Sequence, residues 1–104
     1  MARLRISTAE VLMLGREAIL FALKTAEEAG DAAAFYAKVD MRNPSHSYWV
    51  RHGGIDISLK AVVACALRVQ RSDAQAKDFH AADAAVRLRE LGFEVIHGDC
   101  VTPL

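Results

Sequence analysis

Only two cysteines, two prolines and one tryptophan occur among the 104 residues, and 13 acidic side chains cancel 13 basic ones. Each shortage excludes a class of protein. Cys65 and Cys100 cannot build the disulfide framework of a small secreted domain. Neither has a neighbouring cysteine at metal-ligand spacing, so no metal site is expected. No apolar run approaches the roughly 18–20 residues of a membrane span. Glu10, Arg16 and Glu17 interrupt what would be the apolar core of a signal peptide, which makes the cytoplasm the default location. The zero net charge also excludes the whole-domain basicity of many nucleic-acid binders.

What remains is the composition of an ordinary folded protein, 53% apolar and 25% charged. The length fits one domain spanning residues 1–104. Within the neutral total, charge is segregated. Residues 38–71 hold Lys38, Arg42, Arg51, Lys60, Arg68 and Arg71 against only Asp40 and Asp56, with His46 and His52 in the same stretch. Acidic groups outnumber basic ones on both sides. A central basic segment can form a positive patch for an anionic partner, or be a solvated face paired with acids elsewhere.

The local signals alternate between helix and strand. Ser7-Thr8-Ala9-Glu10 has capping-box spacing and predicts a helix running to Ala29, with Gly30 as a left-handed stop. Val11, Leu14, Ala18, Phe21 and Ala22 form its apolar face, widened by Leu12, Ile19 and Leu23. Asp31 caps a short helix over 32–38 that presents Phe35 and Tyr36. Residues 41–47 read as a loop. Two β-rich runs, 48–52 and 55–57, flank Gly53-Gly54 and predict a tight hairpin. Ser58 caps a helix from Leu59 to about Arg71, with Leu59, Val62, Val63, Ala66 and Leu67 inward in an amphipathic pattern. Cys65 on this helix reads as a small buried hydrophobe, and Cys100 near the C-terminus as the more exposed thiol.

Residues 72–78 are a polar connection. A last helix runs from about His80 to Leu91, with Ala81, Ala84, Ala85, Leu88 and Leu91 inward. Gly92 ends it in a Schellman cap, Phe93 folds back, and residues 93–97 close as a strand. The order α-α-β-β-α-α-β predicts an α+β fold, about four helices on a small sheet made of the hairpin and the C-terminal strand.

Catalytic signatures are missing. There is no phosphate loop, no nucleophile elbow and no paired histidines on a helix face. His46 and His52 lack acidic or cysteine partners at ligand spacing, His80 sits at a helix start and His97 in a terminal strand, and each reads as a surface or capping residue. The adjacent acids Glu27 and Glu28 read as a solvated face. A non-enzymatic protein without a cofactor is the expectation.

One composite pattern is more specific. A hairpin with a glycine turn (Tyr48 to Val50, then Gly54) is followed by Lys60-Ala61 and a helix holding Ala64 and Ala66. Asp78-Phe79 and the closing Leu88, Leu91, Gly92, Phe93, Glu94 and Val95 come next, and Val11, Leu12, Leu14 and Gly15 fit an opening helix. This pattern resembles the N-terminal head domain of ScoMcrA-like restriction endonucleases, HNH enzymes that cut modified DNA. Ile57, Ser58 and Leu59 stand where that family has an aromatic residue and prolines, and Ala81-Ala82 replaces a glycine pair. No HNH portion follows in this sequence, so the resemblance implies an accessory module associated with DNA or with a DNA-acting protein, without the nuclease activity.

The candidate nucleic-acid-binding residues are therefore Lys60, Arg51, Arg68, Arg42, Arg71 and His52. Lys60 has a specific reason to be considered, because a lysine in the first turn of a helix opposes the helix dipole by about 0.3–1 kcal/mol. Arg51 and His52 on the hairpin can join it around a phosphate, and replacing Lys60 and Arg51 together is expected to change stability little, as both read as exposed charges. Tyr48 and Trp49 are candidates either for base stacking or for the core. The alternative reading is a self-associating interaction protein, a homodimer that covers excess apolar surface without binding nucleic acid. A small-molecule pocket between hairpin and first helix is a third class with no residue to support it. Salt separates the first two, because DNA binding releases counterions and apolar association does not.

Overall fold

The structure is a computed structural model, described here for residues 11, 13–39, 48–69 and 79–98. The Ser7–Glu10 capping box, Leu12, the 41–47 loop, Arg42, His46, the 70–78 segment with Arg71 and Asp78, and Cys100 lie outside the described residues. The elements are α1 (Arg16–Ala29), α2 (Ala32–Lys38), β1 (Tyr48–His52), β2 (Ile55–Ser58), α3 (Leu59–Leu67), α4 (Ala81–Glu90) and β3 (Glu94–His97). The fold is α+β, four helices with a three-stranded antiparallel sheet of order β2-β1-β3.

The first helix differs from the expectation of one continuous run to Ala29. Gly15 is extended, with φ −93° and ψ 164°, and α1 begins only after it. Glycine costs about 1 kcal/mol in a helix interior, so the chain breaks there cheaply. The break turns Leu14 into the core, 1% exposed, and frees its carbonyl to accept from Arg87 Nε at 2.8 Å. It also sets which face of α1 is covered. Ile19, Ala22, Leu23 and Ala26 are buried, whereas Phe21, expected inward, is 56% exposed.

Asp31 caps α2 as its spacing requires, accepting from the Ala34 N–H at 2.7 Å. Phe35 and Tyr36 are buried, and the Tyr36 hydroxyl accepts from the Ser58 N–H at 3.1 Å. In the hairpin, Gly53 and Gly54 have φ of 61° and 82°, the paired positive values of a type I′ turn. β2 runs one residue further than the sequence indicates, to Ser58, and β3 begins one residue later, at Glu94. Val50 pairs with Ile57 on one side and Val95 on the other, and these side chains face the helices. Alternation then puts Trp49, Arg51, Asp56 and Glu94 on the opposite face.

The helix α3 departs from its amphipathic reading. Every residue except Lys60 is buried, Ala61, Ala64 and Cys65 included. It ends at Leu67, with Arg68 and Val69 in a turn. Ser58 stands at its N-cap without a side-chain capping bond, because it is still part of β2 and wholly buried. The end of α4 matches the expected Schellman motif. Gly92 has φ 91°, its N–H donates to Arg89 O at 3.0 Å, and the Phe93 N–H donates to Leu88 O at 3.0 Å. Arg89 Nη2 reaches the Val95 carbonyl on β3 at 3.4 Å.

A Cβ at Gly53 or Gly54 would meet nothing within 4 Å, so alanine there is opposed by backbone conformation alone. Gly53→Ala and Gly54→Ala are each expected to destabilise by about 1–2 kcal/mol, read from the urea midpoint at unchanged slope.

Candidate nucleic-acid interface

The tight Gly-Gly turn determines the hairpin register, and the register builds a charged row across the outer face of the sheet. Arg51 stands opposite Asp56 on β2 and opposite Glu94 on β3. Its Nε and Nη2 fork onto the two Asp56 carboxylate oxygens at 2.9 and 3.2 Å, and Nη1 reaches Glu94 Oε2 at 3.4 Å. Asp56 is 1% exposed. A buried carboxylate requires a charged partner, and a bidentate guanidinium is the geometry that satisfies it best. Arg51 is thus a structural cation, whose orientation Asp56 holds, in contrast to the exposed and dispensable charge the sequence led us to expect.

The other described candidates reach different neighbours. His52, at the end of β1, has its Nε2 in contact with Glu27 Oε1 on α1, so Glu27 is engaged rather than only solvated. Lys60 is the half-buried position in the first turn of α3, with its Nζ 5.8 Å from the centroid of the Phe79 ring. That is cation–π range, and it offsets part of the unfavourable helix dipole. Arg68, just past the end of α3, donates from Nη1 to the Lys38 carbonyl at 2.8 Å, closing the C-terminus of α2. Lys60 and Arg68 are separated by about 12 Å along the helix direction, from 1.5 Å per residue. The four described candidates therefore occupy the hairpin and the two ends of α3. Arg42 and Arg71 are not among the described residues.

The aromatic candidates are already engaged within the chain. Trp49 is 6% exposed and its indole N–H donates to Gly98 O at 2.8 Å. Tyr48 stacks on His97, centroids 4.4 Å apart and planes 19° from parallel. Sequence reasoning missed Asp56 as the partner of Arg51. It was recoverable, since a two-residue turn at Gly53-Gly54 places residue 51 across from 56 by arithmetic alone.

Cys65 is buried as expected, and burial pushes its thiol above the ordinary value of 9.0 despite a hydrogen bond from Thr25 and the positive charges of Arg68 and Lys38. A thiol whose folded pKa is raised contributes its full stability below the unfolded pKa and loses it as pH rises through the folded one. The stability advantage of the parent over Cys65→Ala should therefore be constant up to about pH 9 and shrink above it, in urea titrations at several pH values. Arg51→Gln should cost about 2–4 kcal/mol, below the range for a fully enclosed pair because the Arg51 side chain is 31% exposed. Lys60→Gln should change stability by less than about 0.5 kcal/mol in the same assay.

Neither the curated proteins nor the solved structures contain a match to this chain. The sequence model of the family described as ScoMcrA-like, N-terminal head domain, matches residues 13–97, from the turn before α1 to the last residue of β3. The chain therefore belongs to the ScoMcrA-like N-terminal head domain family.

Proposed function

We propose that this protein is a non-enzymatic accessory module that associates with nucleic acid, its partner being DNA or a DNA-acting protein. The observation that carries the reading is the family membership, combined with a central segment holding six basic residues against two acidic ones. Lys60 is the principal contact. The remainder of α3 is buried, so this lysine is the one side chain through which the helix meets solvent. Arg68 and His52 contribute from neighbouring elements, and Arg42 and Arg71 belong to the same basic segment. Arg51 serves the hairpin itself, its charge taken up by Asp56 and Glu94.

The alternative, a self-associating interaction module, is favoured by a separate observation, the exposure of Leu20 and Phe21 side by side on α1.

The test is a fluorescence-anisotropy titration of plain and modified duplexes at two salt concentrations. Binding should weaken steeply with salt, and Lys60→Gln should lower the slope of log K against log salt by about 0.9, the loss of one phosphate contact. Arg51→Gln is unsuitable as a partner variant because it loosens the fold. Absence of salt-dependent binding by the parent protein would reject the reading in favour of the alternative.

A further inference from the structure

The side of α1 turned away from the core carries an ordered pattern. Leu20 is 43% and Phe21 56% exposed, and Glu17, Lys24 and Glu28 are exposed as well. At about 100° per residue, these five positions fall within a sector of about 100°. Their spacing, i, i+3, i+4, i+7 and i+11, is that of a helix seam prepared for another helix. Within the chain α1 packs against α2 and α3 through its other face. Among the described residues, neither Glu17 nor Lys24 forms an ion pair.

The charges identify what covers this seam. Glu17 and Lys24 lie seven residues apart, at equal distances on either side of the point between Leu20 and Phe21. We propose that the outer face of α1 binds a second copy of this chain, with the two α1 helices antiparallel about a two-fold axis at that midpoint. This arrangement sets Glu17 against Lys24 of the second copy, and by symmetry forms the same pair again. Leu20 meets Phe21 of the second copy twice, in the centre of the contact. A parallel arrangement would place Glu17 on Glu17 and Lys24 on Lys24, which like-charge repulsion opposes. The pattern is self-complementary in one orientation only, as a two-fold interface requires.

The apolar centre is small, two side chains from each copy, so the dimer is weak and forms with rising concentration. Glu17 and Lys24 are exposed and outside the core, so exchanging their charges leaves the fold intact. The proposal does not depend on nucleic-acid binding, and its test contains none.

Sedimentation equilibrium of the full chain measures it. The parent should pass from monomer to dimer below about 1 mM. Glu17→Lys and Lys24→Glu each turn two attractions into two repulsions, and should each weaken self-association by about tenfold. The double variant E17K/K24E restores the complementary pattern and should dimerise like the parent. An equimolar mixture of the two single variants should associate more tightly than either alone. A parent chain that stays monomeric up to about 1 mM would overturn the proposal and leave the face to a different occupant. Single variants that dimerise as the parent does, or a mixture no tighter than its components, would overturn it equally.

Discussion

A helix buried on all sides is the constraint around which this fold is arranged. α3 has nine residues, eight of them buried, so it must be covered from every direction at once. α1 lies along one side, α4 along another, and β1 and β2 supply a third. The small side chains of Ala61, Ala64, Cys65 and Ala66 let those neighbours approach closely, while Leu59, Val62, Val63 and Leu67 fill the spaces between them. Because β2 passes directly into α3 at Ser58, the position of the hairpin follows from the position of the helix. The placement of Lys60 follows from the same constraint, as the one member of α3 outside the core.

The arginines are distributed with a second regularity. Arg16 donates to the Leu91 carbonyl, Arg68 to Lys38, Arg87 to Leu14 and Arg89 to Val95. Three of these join the end of one element to a segment distant in sequence, and a guanidinium suits that task because it offers several donors in a fixed plane. Arg16 also lies over the Phe93 ring, 4.8 Å from its centroid. Guanidinium groups serve here largely as internal fasteners. Among the described residues, a count of arginines therefore overstates the positive charge left uncommitted within the chain.

Legibility in the sequence followed the locality of the signal. The hairpin turn and the Schellman end of α4 were readable because each depends on a glycine at positive φ within a few residues. Asp31 was readable as a cap for the same reason. The break at Gly15 was not, since the bond that accompanies it, from Arg87 Nε to the Leu14 carbonyl, comes from far along the chain. Phe21 was consequently assigned to the wrong face. The all-round burial of α3 was hidden because alanine is compatible with either a core or a surface position, and periodicity detects only the large side chains. Of the six candidate site residues, Arg51 shows the limit most clearly. Its charge was visible, but its commitment to Asp56 required the strand register.

Among the described residues the sheet has three strands, and two of them, β2 and β3, are its edges. Such rims invite polymerisation through strand addition. On β3 the rim is short, four residues, and charged at Glu94, with Arg89 laid across the Val95 carbonyl. These are gatekeepers in the sense used for aggregation. Features of this kind oppose the strand-by-strand growth that ends in a fibril.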